Sequence, residues 1–313
     1  MADSRLDIPW KLIEPEDPNG SDMVDVSGIT RKWLDVPYAA QSPSQILDIY
    51  LPEEGEGPFP TYIFIHGGAF IVGDKQDVQF LLAVDGVNRG YAVVSVEYRR
   101  AFESKAPNAL YDIKSAVRFL RAHAAEYKLD PERFALGGDS AGAYYAVFAA
   151  ATSGIPAFDG PDPILPEVPG DVKAVVSQCG LFDLLTLTPP PEAEAAAPKE
   201  FVPGTIPVNL ISIFIGANPR LFPEVAVLLD PTTYITKDFP PTLVQVGRDD
   251  VIVPWSESAR LAEIIESRCG KDSVRLEAHE GWNHCALNHI LTPNFFTKEN
   301  NDRTFGFLDE VMK

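Results

Sequence analysis

Short apolar runs alternate along this chain with longer stretches whose apolar residues recur every three or four positions. Thr61-Tyr62-Ile63-Phe64-Ile65, Phe134-Ala135-Leu136-Gly137, Ala174–Gln178 and Thr242-Leu243-Val244-Gln245-Val246 are short and mostly apolar, and each reads as a buried strand. Residues 273–278 alternate apolar and polar side chains, as a half-buried strand does. Between these runs, helices are predicted over residues 77–88, 108–127, 141–152 and 255–269. Strands and helices in alternation predict an α/β fold with a mostly parallel central sheet and helices on both faces. A length of 313 residues fits one such domain, spanning 1–313, with insertions.

Two stretches break the rhythm. Residues 154–170 are rich in Pro, Asp and Gly and read as a surface loop. Residues 182–235 hold Pro189-Pro190-Pro191, a Glu/Ala run, and then apolar residues at helical spacing. This segment falls between two predicted strands and is expected to form a small, partly helical cap. Its Phe182, Leu185, Phe201, Phe214 and Phe222 are candidates for a pocket wall, and the simpler reading is that they pack the insertion onto the sheet.

Composition narrows the function. Hydrophobic residues make up 45% of the chain, ample for a core. No run of 18 apolar residues occurs, so no membrane span is expected. The first residues, Met1 to Asp7, lack a basic region followed by an apolar one, so no secretory signal is expected. A formal net charge of −19 opposes binding to nucleic acid or to an anionic lipid surface. Cys179, Cys269 and Cys285 make no disulfide framework and suit a reducing, cytoplasmic compartment. The spacing of the His and Cys residues matches no local metal-binding motif, so neither a metal nor a cofactor is expected.

The candidate chemistry follows the strands. Gly138-Asp139-Ser140-Ala141-Gly142 fits Gly-x-Ser-x-Gly and lies between a predicted strand and a predicted helix. A serine on such a turn has a strained backbone and an exposed hydroxyl, and the next helix points its N-terminus at the site. Upstream, the strand at 61–65 ends in His66-Gly67-Gly68-Ala69-Phe70. Acyl transfer builds charge on the former carbonyl oxygen, and one lost N–H donor to that oxygen costs about 3–4 kcal/mol. An oxyanion hole is therefore expected from Gly67, Gly68, Ala69 and Ala141, with Gly67 shaping the turn and the others donating. Phe70 is a further candidate pocket residue.

A serine hydroxyl needs a base, and the base needs an orienting carboxylate. Asp249 and Asp250 follow the strand at 242–246, and His279 and His284 follow the strand at 273–278. Among the other histidines, His66 belongs to the glycine loop, His123 to a helix surface and His289 to an apolar segment. The serine, the acid and the histidine thus each follow a strand, where sites form in open parallel sheets.

Together these segments resemble the α/β-hydrolase superfamily, and within it the serine esterases with a His-Gly-Gly oxyanion loop, of the hormone-sensitive-lipase-like and feruloyl-esterase-like branches. The resemblance runs from about Leu47 to about His289 and includes residues 47–52, 90–99 and 112–120. It departs at Ala69 and Ala143, where glycine is common in the family. The resemblance implies that Asp250, which leads Asp-x-x-Val-Pro, is the acid and that His284, in Gly-x-x-His, is the base. It implies Ser140 as nucleophile and hydrolysis of short-chain acyl or aryl esters, small molecules, through an acyl-enzyme. Amide hydrolysis by the same triad, as in formamidases and peptidases, is the alternative, followed by a non-catalytic ligand-binding relative.

Overall fold

The computed structural model describes residues 23–196, 208–287, 290–291 and 295–312. Phe201, His289 and the N-terminal residues 1–22 lie outside them. Among the described residues, eight strands form one sheet: β1 (Lys32–Pro37), β2 (Ile46–Tyr50), β3 (Phe59–Ile65), β4 (Ala92–Val96), β5 (Leu129–Asp139), β6 (Ala174–Gln178), β7 (Thr242–Gly247) and β8 (Val274–His279). Their order is β1-β2-β4-β3-β5-β6-β7-β8. β1 pairs antiparallel with β2, and β2 with β4; every other neighbouring pair is parallel. The expected, mostly parallel sheet is present, with an antiparallel edge that the apolar pattern does not announce.

The strands look apolar throughout because both faces are covered. On β3, Ile63 and Ile65 join one core while Tyr62 and Phe64 join the other. On β4, Val94 and Val96 separate from Val93 in the same way. The first face is covered by α2 (Asn108–Ala122), α3 (Ala141–Ala151) and α7 (Ser256–Cys269), which supply Leu110, Ile113, Tyr144, Phe148 and Leu261 to that core. The second face is covered by α1 (Leu81–Val84) and α8 (Lys298–Met312), with Leu81, Phe305 and Leu308. Helices on both faces were expected. The helix expected over 77–88 is instead broken into a 3-10 turn (Val78–Phe80), α1 and a second 3-10 stretch (Asp85–Arg89). Gly86 gives the reason for close approach there: a Cβ on it would lie 2.7 Å from Val93 and 2.9 Å from the Phe305 ring.

The insertion between β6 and β7 carries short helices: α4 (Pro191–Ala196), α5 (Leu210–Ile215), α6 (Pro223–Leu228) and a 3-10 turn (Pro231–Tyr234). It is tied down by specific bonds. The buried Glu257 carboxylate of α7 accepts from the Phe182 and Asp183 N–H groups (3.0 and 2.7 Å) and from the Thr186 hydroxyl (2.8 Å). Tyr144 of α3 donates its hydroxyl to the Leu229 carbonyl at 2.7 Å.

Candidate active site

Parallel pairing brings the carboxyl ends of β3, β5, β6, β7 and β8 to one edge of the sheet. Ile65 lies beside Gly138, Asp139 beside Gln178, Gln178 beside Gln245, and Gly247 beside His279. The residues that follow each strand therefore meet there. Among the described residues, seven non-glycine residues have positive φ, and four of them lie at this edge: Ala69 (+54°), Phe70 (+66°), Ser140 (+52°) and Cys179 (+53°). Strain of this kind costs about 1–3 kcal/mol per residue and persists where the surroundings over-determine it.

Ser140 sits between β5 and α3 with φ 52° and ψ −117°. The turn is possible because Gly142 has no side chain: a Cβ there would lie 2.0 Å from the Ile65 carbonyl oxygen. The Ser140 N–H donates to the Gln178 carbonyl at 2.7 Å, which anchors the elbow to the end of β6. Ser140 itself remains partly exposed at the start of α3.

The His66–Phe70 loop lies against the elbow. Gly68 has φ +110°, and a Cβ on it would lie 2.1 Å from the Val72 carbonyl oxygen. The Gly67 N–H is engaged inside the protein: it donates to Gln79 Oε1 (2.9 Å) and to Asp139 Oδ1 (3.0 Å). Gly67, with its N–H engaged inside the protein, shapes the loop, while donation is left to the other three residues. Among the described residues, the N–H groups of Gly68, Ala69 and Ala141 have no hydrogen-bond acceptor. His66 is fully buried, stacked on Tyr98 with ring centroids 4.4 Å apart, and its Nε2 is 3.5 Å from Glu97 Oε1. Tyr98 donates its hydroxyl to the His66 carbonyl at 2.9 Å. His66 is thus a brace for the loop.

Asp250 and His284 meet. His284 Nδ1 lies 2.7 Å from Asp250 Oδ2, and both side chains are buried. The other oxygen, Oδ1, accepts from the Ile252 and Val253 N–H groups, each at 2.8 Å. The carboxylate is therefore fixed, and the Nδ1 proton is fixed with it. Asn283 Oδ1 accepts from the Val251 and His284 N–H groups at 3.1 and 2.8 Å and holds the two loops together. Asp249 is exposed and its N–H donates to the Trp282 carbonyl, a turn role. His279 stacks on Trp282 with ring centroids 3.9 Å apart, which leaves His284 as the histidine on Asp250. Among the described residues, no hydrogen bond joins the Ser140 hydroxyl to His284. Such bonds are often long without substrate and tighten in the complex.

Three further residues at this edge escape the sequence motifs. Asp139 is buried; its Oδ2 accepts from Cys285 Sγ at 3.4 Å, and burial raises its carboxyl pKa to about 6. Cys179, at the end of β6, donates its N–H to the Gln245 carbonyl at 2.9 Å. Ligand atoms of Cys179, His284 and Cys285 all lie within 4.8 Å of one another. Burial alone would lower the His284 pKa, but hydrogen bonding to Asp250 and to Cys179 outweighs it and raises the value to about 10. Local spacing shows no metal motif because Cys179 and Cys285 stand far apart in the chain; only β6 pairing brings Cys179 to the site.

The candidate pocket residues behave otherwise. Phe70, Phe182 and Phe214 are closed inside the core. Phe70 stacks on Phe214 with centroids 4.1 Å apart, and both meet Tyr144 and Tyr145 edge-on. This is packing of the insertion onto the sheet. None of the three lines the apolar cavity of about 620 Å³ whose wall includes Tyr111, Phe158, Ile215, Phe222 and Leu229.

Known proteins resemble this chain in sequence and in fold. A family model described as BD-FAE matches residues 47–265. The probable carboxylic ester hydrolase LipM of Mycobacterium tuberculosis is 29% identical over 227 residues, which cover 72% of this chain and 49% of LipM. The chain spans about half the length of the curated relatives it matches over most of its own length. Among solved structures, a bifunctional GH43-CE protein of Bacteroides eggerthii superposes with a TM-score of 0.75 at 26% identity, covering 90% of this chain and 35% of that one. A truncated carbohydrate esterase from gut microbiota gives a TM-score of 0.74 at 24% identity, covering 90% of this chain and 96% of that one. With its α/β-hydrolase sheet and a model match across most of its length, the chain belongs to the BD-FAE family.

Proposed function

We propose that this protein is a serine carboxylic-ester hydrolase acting on short-chain acyl or aryl esters. The observation that carries the reading is the convergence of a strained Ser140 elbow and a 2.7 Å Asp250–His284 pair at one edge of the sheet. Unengaged N–H groups on Gly68, Ala69 and Ala141 support it. The names of the relatives, a carboxylic ester hydrolase and a carbohydrate esterase, point the same way.

In this reading the ester carbonyl oxygen enters the space facing Gly68, Ala69 and Ala141. Ser140 Oγ attacks the carbonyl carbon while His284 Nε2 takes its proton. Asp250 holds the ring orientation and stabilises the imidazolium. The three N–H groups, with the N-terminus of α3, receive the charge on the oxygen. His284 then gives its proton to the leaving alcohol, and water, activated by the same nitrogen, releases the acid. The segment at 182–235 acts as a cap of the same 1–313 domain. The partner is a small-molecule ester, and three free thiols support a reducing, cytoplasmic setting. Among the described residues no helix is long and apolar enough to cross a membrane.

The test is hydrolysis of p-nitrophenyl acetate, butyrate, octanoate and laurate by wild type and Ser140→Ala. Wild-type turnover should fall with chain length, and the variant should lose about 10⁴-fold or more. Turnover that survives in folded Ser140→Ala would overturn the reading. Faster cleavage of matched formyl amides would shift it to the amide bond.

A further inference from the structure

Asp139 is a buried carboxylate that stands outside the triad. It ends β5, directly before Ser140, and its side chain reaches two other loops of the site. Oδ1 accepts from the Gly67 N–H at 3.0 Å, in the loop after β3. Oδ2 accepts from Cys285 Sγ at 3.4 Å, in the loop after β8. The carboxylate is thus held from both sides, beside the nucleophile. Burying such a group is costly, and burial raises the Asp139 pKa to about 6. An apolar side chain would spare the fold that cost.

The sheet does not need this carboxylate. β3 and β5 are already joined by parallel pairing from Thr61–Phe134 to Ile65–Gly138. Gly67 lies beyond that ladder, and side chains hold its N–H: Gln79 Oε1 shares it with Asp139, at 2.9 Å. The bare backbone of Gly67 permits the approach, because a Cβ there would lie 2.8 Å from Asp139 Oδ2. Ala69 and Phe70 follow in the same loop, with φ of +54° and +66°. Backbone in that region costs energy and persists where its surroundings over-determine it. At the Gly67 end of the loop, Asp139 and Gln79 supply those surroundings.

We propose that Asp139 is a positioning residue for ester hydrolysis: by fixing the Gly67 N–H, it sets where Gly68 and Ala69 present theirs to the oxyanion. The inference rests on the esterase reading and adds a residue to it. Asp139 acts through the loop and touches neither the ester nor a reacting atom, so substrate binding should hardly sense it. The transition state should, because its charge is stabilised only by donors already in place. A carboxylate suits the role because a charged acceptor binds an N–H about twice as strongly as a neutral one.

The experiment compares wild type with Asp139→Ala and Asp139→Asn on p-nitrophenyl butyrate. Circular dichroism and urea unfolding establish that each variant is folded. Asp139→Ala should lower kcat by about 10–100-fold, as a small displacement of catalytic groups does, with KM little changed. Asp139→Asn keeps an oxygen for the Gly67 N–H and should recover most of that loss. Asp139→Ser, whose shorter side chain falls short of Gly67, replaces Asp139→Ala if the alanine variant does not fold, with the same loss expected. Two inhibitors separate positioning from a general weakening of the site. A trifluoromethyl ketone adds the Ser140 hydroxyl and leaves an oxyanion in the hole, so its affinity should fall by the same factor as kcat/KM. The matching methyl ketone stays trigonal and should keep its affinity. Wild-type kcat in Asp139→Ala would refute the inference, as would equal loss of affinity for both ketones. So would a folded Asp139→Asn no more active than the alanine variant. Each of those results leaves the esterase reading standing, whereas turnover that survives in Ser140→Ala would remove that reading and this inference with it.

Discussion

His284 is pulled two ways. Burial disfavours a charged ring, while Asp250 and Cys179 favour it strongly enough to raise the pKa to about 10. A general base works only when deprotonated, so a raised pKa moves the acid limb of the rate profile upward. The kcat/KM for a short-chain ester should rise with pH on the alkaline side of an ordinary imidazole. Cys179→Ser removes one of the two partners that stabilise the charged ring, and its limb should move to lower pH. Rate profiles from pH 5 to 10 check this; superimposable limbs would refute it. Ser140, Asp250 and His284 were readable beforehand because each lies in a contiguous run that a motif can describe. Asp139 was in view, but as the variable position of its motif. Cys179 was not readable at all, since its place beside His284 comes from the register of β6 against β5 and β7.

At the scale of elements, strands buried on both faces were legible from apolar runs, α2 and α7 from their spacing, and α3 from its place after the Gly-x-Ser-x-Gly turn. The edge strand β1 was not, because its residues are mostly exposed. The loop at 154–170 reads as surface, yet it is stapled to α2 by Asp159. The Asp159 carboxylate lies 2.7 Å from Lys114 Nζ and 2.8 Å from Arg118, and both cations are buried. Lys114 also donates to the Thr152 carbonyl at 2.7 Å. Burial would raise the Asp159 pKa, but hydrogen bonds from Arg118 and Lys114 outweigh it and hold it below the ordinary carboxylate value. Asp159→Asn leaves two buried cations without their anion and should cost about 3–5 kcal/mol at pH 7 in urea unfolding. A depressed carboxylate pKa stabilises the fold above the unfolded value of about 4, and that share is lost as pH falls through the folded value. The gap between wild type and variant should therefore narrow below pH 4. A gap independent of pH would show that the pair contributes nothing electrostatic.

For the molecule as a whole, one sheet contributes to two cores, one on each face. The second core is the less legible in the sequence, because α8 mixes Phe305, Phe307, Leu308 and Met312 with many polar residues. Phe305 is its keystone: its ring meets Tyr62 edge-on at 5.8 Å and Tyr91 at 5.4 Å, and Arg89 lies 5.0 Å above it. Tyr62 belongs to β3, the strand that also carries Ile63 and Ile65 into the other core and ends at the oxyanion loop. Phe305→Ala opens a cavity against this strand and should cost about 3–5 kcal/mol. If the sheet couples the cores, the loss appears as a lower denaturant midpoint with an unchanged slope. Reactivity of Ser140 toward a fluorophosphonate probe should vanish at the same denaturant concentration as the helical signal, although Phe305 lies on the opposite face from α3. Separate midpoints for the two signals would mean that the faces unfold independently and that the site depends on the first core alone.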